Sequence, residues 1–165
     1  MRIALTRRGT AALLATVPAA LGLALLSAPQ AAADNVDCRV PGAGAVQNTA
    51  SDAACSAESD AGGAAAAFGL GGGATADAAA NSLSLAIAQN GGVATSTSTA
   101  LSGPAAIAVG PGATVNAAGV RPGLSIGIAG PGATVTIPGT SGPTCTGGAG
   151  FAGDFQTLQG CVSMG

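Results

Sequence analysis

The sequence predicts an all-β fold: a short-strand β-solenoid or β-roll-like repeat stack with disulfide-closed ends, partly of low complexity. Three observations predict it. Residues along the middle of the chain alternate with period two between regularly spaced glycine and proline turns. A hexapeptide recurs after twenty residues. Large apolar side chains are scarce, because alanine dominates the 48% of hydrophobic residues. Fewer than one residue in five beyond position 33 is Leu, Ile, Val or Phe, too few to fill a thick two-layer core. A stack of thin coils, filled by Ala, Val and Ile, needs no thick core. A hairpin meander of the same strands and a disordered low-complexity chain are the alternatives.

Residues 1–33 read as a secretory signal peptide. Arg2, Arg7 and Arg8 form a positive start, and Ala11 to Leu26 carry no charge. Pro29 and the small residues Ala31, Ala32 and Ala33 supply the cleavage context, leaving Asp34 first. The apolar run falls short of the roughly 20 residues a spanning helix needs and contains Pro18. Gly9 and Thr10 after the arginine pair fit general secretion better than a twin-arginine route, and the polar Asn35-Val36-Asp37 does not precede a lipidated cysteine. The expectation is a secreted or cell-envelope protein with no membrane association after cleavage.

Residues 34–62 form an N-terminal disulfide loop region and residues 144–165 a C-terminal disulfide cap. Four cysteines in an exported chain suggest two bridges. Of the three connectivities, Cys38–Cys55 with Cys145–Cys161 is favoured, because each pair closes a short loop; such loops contribute about 3 kcal/mol each. An end-to-end Cys38–Cys161 bridge is the rival. Zinc is not expected, since the chain has no histidine and no CxxC. Phe151, Phe155 and Leu158 are expected to plug the carboxyl end of the stack.

Residues 63–143 are the Gly/Ala-rich repeat region. Gly110-Pro111-Gly112-Ala113-Thr114-Val115 returns as Gly130-Pro131-Gly132-Ala133-Thr134-Val135. Earlier, looser copies start at Asn90 and Leu70, and Ala86-Ile87-Ala88 matches Ala106-Ile107-Ala108. Turn signals fall near Asn90-Gly91, Ser102-Gly103-Pro104, Gly110-Pro111-Gly112, Arg121-Pro122-Gly123, Gly130-Pro131-Gly132 and Thr140-Ser141-Gly142-Pro143. Between them, Leu83, Leu85 and Ile87 oppose Ser84 and Ala86; Leu124, Ile126 and Ile128 oppose Ser125 and Gly127; Val135 and Ile137 oppose Thr134 and Thr136. Residues 62–80, where alanine runs meet glycines, read as loop passing into the first coils.

The composition excludes several functions. Beyond residue 33, Arg39 and Arg121 face seven acidic residues, and the chain has no Lys, His, Trp or Tyr. Nucleic acid is therefore not a partner, since phosphate neutralisation needs clustered cations. Gly123-Leu124-Ser125-Ile126-Gly127 matches a nucleophile elbow, but no histidine or lysine is present to serve as base. Ser125 is read as a strand serine between inward Leu124 and Ile126. Gly148, Gly150 and Gly153 match a dinucleotide fingerprint but lie too near the chain end for its acidic residue; they read as turn glycines. Gly147-Gly148-Ala149-Gly150 starts like a calcium-binding nonapeptide but has Ala152 where aspartate is needed. Asp52, Glu58 and Asp60 lack EF-hand spacing. No cofactor, metal or catalytic residue is expected, and the chain is not expected to be an enzyme.

The candidate binding surface is Thr95, Thr97 and Thr99, alternating threonines that line one side of a strand as a flat hydroxyl and methyl row. Ice-binding solenoids use such T-x-T arrays. A homo-oligomer or an extracellular surface partner is compatible with this reading; the partner itself is unknown.

Two resemblances accompany these readings. Ile-Ala-Val-Gly-Pro-Gly-Ala-Thr-Val at 107–115 and Ser-Ile-Gly-Ile-Ala-Gly-Pro-Gly-Ala at 125–133 resemble the head repeats of trimeric autotransporter adhesins. That likeness implies a β-roll that binds matrix proteins, over about 60 residues; the anchor and stalk of that family are lacking. The whole Ala- and Gly-rich chain, with its tail from Cys145 to Cys161, is similar to small uncharacterised exported proteins of actinobacteria, which imply no activity. The resulting expectation is a non-enzymatic structural or surface-presenting protein, with an adhesin-like, glycan-binding or ice-binding module as the alternative.

Overall fold

A computed structural model describes residues 34–99 and 101–165. The signal-peptide reading of residues 1–33 lies outside them. The described chain is a β-solenoid of about four turns. Its strands are β1 (Asn35–Val40), β2 (Gly44–Thr49), β3 (Ala54–Ser59), β4 (Ala64–Leu70), β5 (Gly73–Ala78), β6 (Leu83–Gln89) and β7 (Val93–Ser98), then β8 (Ser102–Val109), β9 (Thr114–Gly119), β10 (Gly123–Ala129), β11 (Ala133–Ile137), β12 (Thr144–Gly147), β13 (Ala149–Asp154) and β14 (Gln159–Met164). They form two seven-stranded sheets, and from β3 to β11 successive strands alternate between them. Sheet A runs β1-β4-β6-β8-β10-β13-β14, and sheet B runs β12-β11-β9-β7-β5-β3-β2.

Interior strands pair in parallel, as a winding chain requires. At both ends the chain reverses. β1 and β2 pair antiparallel with β4 and β3, while β12 and β13 pair antiparallel with β11 and β10, and β14 closes on β13. The hexapeptide repeat is in register, with Thr114 beside Thr134 and Val115 beside Val135. So are Thr75 beside Thr95 and Ile87 beside Ile107. The copy at Asn90 is displaced by one: Ala94 pairs with Val115, because the turn through Gly110-Pro111-Gly112 is one residue longer.

The interior is built from the small members of each alternation. Ala65, Ala67, Ala86, Ala88, Ala106 and Ala108 point inward from sheet A, and Ala74, Ala76, Ala94 and Ala117 from sheet B. Each buried methyl is worth only about 0.8 kcal/mol, so the core gains by repetition. Two Cα atoms bridged across the sheets at Cys38–Cys55 are 5.8 Å apart, against about 10 Å for ordinary stacked sheets. Alanine, serine and glycine fill most of the inward positions of this thin core. Where Val115, Val135 and Ile137 enter the core, Gly127 faces them; a Cβ there would stand 2.8 Å from Val115 Cγ1.

Several expectations change accordingly. Leu124 is not inward: it is 63% exposed, Ile126 shares its outward face, and Ser125 is the buried one. The gap between the sheets admits the hydroxymethyl and not the isobutyl group. Residues 62–80 are not loop but the strands β4 and β5, whose alanines face both ways and so hide the alternation. Ser102-Gly103-Pro104 opens β8 and is not a turn. Gly150 and Gly153 lie inside β13; a Cβ on Gly150 would stand 3.0 Å from Val135 Cγ2. Phe151, Phe155 and Leu158 do not plug the stack; all three are exposed. The β13–β14 hairpin closes that end, with Ala152 turned inward.

Both favoured disulfides are present. Cys38 on β1 meets Cys55 on β3, and Cys145 on β12 meets Cys161 on β14. Each joins sheet A to sheet B at one end of the solenoid. These bonds are consistent with an oxidising, extracellular location.

Candidate functional site

The inward serines come first, because one matches a catalytic motif. Ser82 and Ser98 share a hydrogen bond of 2.7 Å between hydroxyls, and Ser84 donates to Ser96 Oγ at 2.8 Å. Ser96 donates in turn to the Pro104 carbonyl at 3.0 Å. Ser125 is 2% exposed, and among the described residues its Oγ has no hydrogen-bond partner. The nucleophile-elbow match thus falls on an inward position between the two sheets. Asp154, two residues beyond the nonapeptide's calcium position, accepts from the Gln156 amide and the Thr157 hydroxyl of its own turn. Among the described residues no group of three His, Cys, Asp or Glu is placed to hold a metal.

The outer face of sheet B is hydroxylated. Parallel in-register pairing stacks like on like, so one column crosses all seven strands: Gln47, Ser56, Thr75, Thr95, Asn116, Thr136 and Thr144. Each member carries a hydroxyl or an amide. A second column two residues away includes Thr49, Thr114, Thr134 and Thr146. Neighbours in a column stand about 4.8 Å apart and the columns roughly 6.6 Å apart. Gly73 and Ala54 in the second column leave a shallow depression of about 310 Å³ beside Gln47, Ser56, Thr75 and Val93. Glu58 and Asp77 are in-register neighbours on the same face, beside Thr97.

Thr95 and Thr97 therefore lie on this face as the sequence predicts, Thr97 exposed and Thr95 half-buried by its neighbours. Thr99 does not. It lies past the end of β7, where its hydroxyl donates to the Gly119 carbonyl at 2.9 Å and its amide donates to Ser102 Oγ at 3.1 Å. The array is also wider than one strand. Thr75, Thr114, Thr134, Thr136, Thr144 and Thr146 belong to it, and sequence reasoning missed them. The twenty-residue step from Thr75 to Thr95 and from Thr114 to Thr134 is the signal that could have found three of them.

The outer face of sheet A is its opposite. Phe68, Ile87, Ile107, Ile128, Phe151 and Val162 form one apolar column across six strands. Leu83, 61% exposed, and Leu124 stand beside it. At one end Arg39 lies 5.3 Å from the Phe68 ring centroid and pairs with Asp37 at 2.6 Å. The slab is two-faced: polar on sheet B, apolar on sheet A.

A family model matches residues 2–164, nearly the whole chain. The chain belongs to the family of unknown function DUF6764. No curated protein and no solved structure matches this DUF6764 chain.

Proposed function

We propose that this chain is an exported, non-enzymatic protein of the cell envelope or medium, and that the outer face of sheet B is the surface it presents. The observation that carries the reading is the seven-strand column from Gln47 to Thr144. A rigid sheet holding hydroxyls and amides at a fixed repeat makes many weak, simultaneous hydrogen bonds. Its natural ligand class is an extended polyhydroxylated surface, such as an insoluble polysaccharide, which offers donors and acceptors at its own fixed repeat. The backbone adds little ordering cost on binding, because the β ladder already holds the strands in register. The sealed position of Ser125 and the lack of histidine support the non-enzymatic part. The signal-like residues 1–33 and the two disulfides support export.

Co-sedimentation of the purified protein with insoluble cellulose, chitin and bacterial cell wall tests this. The protein is expected in the pellet of at least one, and the double variant Thr95→Leu/Thr136→Leu is expected to lose about tenfold in affinity with an unchanged circular dichroism spectrum. That loss corresponds to roughly 1.4 kcal/mol, one or two hydrogen bonds. Equal retention of variant and parent would refute the reading.

A second reading, ice binding, is favoured by the paired threonine columns at Thr114/Thr134/Thr146 and Thr136/Thr144, where methyls and hydroxyls repeat in two directions. Inhibition of ice recrystallisation, lost in the same double variant, separates it from polysaccharide binding.

A further inference from the structure

The apolar face of sheet A has a relief as well as a composition. Beside the continuous column of Phe68, Ile87, Ile107, Ile128, Phe151 and Val162 runs a second column that alternates small and large. Ala66 on β4 neighbours Leu85 on β6; Leu85 neighbours Ala105 on β8; Ala105 neighbours Ile126 on β10; and Ile126 neighbours Gly153 on β13. Next to it, Leu83 and Leu124 flank Gly103 in the same rhythm. The side chains of β6 and β10 are knobs, and β4, β8 and β13 carry hollows. A depression of about 420 Å³ spans both sides of Leu83 and Leu85, floored by Ala64 and Ala66 toward Arg39 and Pro41 on the β1 side and by Gly103 and Ala105 toward Leu124.

We infer that this face is a self-association surface, and that its occupant is a second copy of the same chain. The relief is self-complementary under one two-fold axis, parallel to the strands and midway between β8 and β10. That operation lays β8 of one copy over β10 of the other, β6 over β13 and β4 over β14. Ala105 then receives Ile126, and Gly153 receives Leu85; the space over Gly103 is already covered by Leu124 Cδ2 of the same chain. In the continuous column Ile107 meets Ile128, Ile87 meets Phe151 and Phe68 meets Val162. The one strand left without a partner is β1. It bears Asp37 and Arg39, the charged side chains of this face, so no charge is buried. Isologous pairing of this kind closes at two and leaves no open end.

The area agrees with the pairing. Six strands about 4.8 Å apart and roughly 22 Å long present about 600 Å² per copy. The pair would bury about 1,200 Å², the lower bound for stable specific interfaces. Dimerisation through sheet A leaves both sheet B faces outward. The proposal stands apart from the reading of sheet B, and its test measures mass and not ligand.

Sedimentation equilibrium of the purified protein tests it. The parent is expected to have twice the chain mass at micromolar concentration. Ile128→Asp is expected to have the single-chain mass with the strand signature of the circular dichroism spectrum retained. Gly153→Leu separates a second copy from a lipid surface. An added Cβ at Gly153 stands 3.6 Å from the Phe151 ring, an ordinary contact, and an unchanged circular dichroism spectrum checks that the rest of the leucine is accommodated. Filling the hollow is expected to weaken the dimer tenfold or more, the usual scale of overpacking, whereas a face that adsorbs to lipid would gain from the extra apolar group. A parent that stays monomeric, a dimer retained in Ile128→Asp, or a Gly153→Leu variant that dimerises as tightly as the parent would overturn the proposal.

Discussion

Ser125 illustrates what a very thin core does to a single side chain. In a sheet packed at ordinary spacing, Leu124 and Ile126 would turn inward and Ser125 would face water. Here the sheets are too close, and the hydroxymethyl is the group that fits. The other inward serines, Ser82, Ser84, Ser96 and Ser98, offset their burial by pairing across the gap. Ser125 Oγ has no such partner. An unpaired buried hydroxyl costs about 1–3 kcal/mol. Ser125→Ala removes it while leaving a methyl of the kind that lines the rest of the core, so the variant is expected to be more stable by about 1 kcal/mol or more in urea denaturation. A loss of stability would mean that the hydroxyl has a partner. Alternation in Gly123–Ala129 was readable in the sequence, but its sign was not. The sign was present in another form: inward positions of sheet A are small in successive coils, as Ala86/Ala88 and Ala106/Ala108 are, while outward positions vary.

The turns carry the next level of information. Along one edge of the solenoid, Gly62, Asn81 and Leu101 occupy equivalent places, and all three have positive φ, at 80°, 56° and 61°. The Leu101 amide donates to the Asn81 carbonyl at 3.0 Å, and the Gly123 amide donates to the Leu101 carbonyl at 3.2 Å. Glycine enters the left-handed region freely and asparagine readily, but leucine costs about 1–2 kcal/mol there. The Leu101 side chain is exposed and returns little packing. Leu101→Asn is therefore expected to raise the melting temperature, with a gain of about 1 kcal/mol, measurable by calorimetry. Strands were legible where large and small residues alternate, as in β6 and β10. They were illegible in β4 and β5, because Ala64–Ala67 places the same residue on both faces. Ser102-Gly103-Pro104 misled for a related reason. It has turn chemistry, but Pro104 sits near the start of β8, where its carbonyl accepts from Ser96 and its missing amide is tolerated.

For the whole molecule, the ends matter most. A stack of parallel coils exposes an unpaired edge on each sheet at both ends. The chain answers by reversing direction and by bridging sheet A to sheet B, with Cα atoms 5.8 Å apart at Cys38–Cys55 and 5.7 Å apart at Cys145–Cys161. The double variant Cys145→Ser/Cys161→Ser is expected to lose about 3 kcal/mol of stability. It is also expected to fray from that end, so that amide exchange quickens in β12–β14 before it does in β6–β9. Uniform quickening across all coils would contradict an end-localised role. The bridges were legible because four cysteines cluster near the two ends of the repeat region. The aromatic plug was not, since Phe151 continues the outward column of Ile107 and Ile128 instead of turning to the axis. The same columns explain why the candidate site was glimpsed only at Thr95 and Thr97. A column is a property of register between coils, and one coil read alone contains a single member of it.

The reversal of chain direction at each end also fixes how such a molecule changes size. Both reversals are completed by terminal segments, and the winding between them is indifferent to how many times it is repeated. Loss or gain of one lap, about twenty residues, would rejoin matching backbone and leave either terminus as it was. Both outer surfaces would shorten or lengthen by the same single step. A lineage of these chains is thereby free to vary in length as a ruler is cut, in whole divisions, with the width and the two-sidedness unaltered.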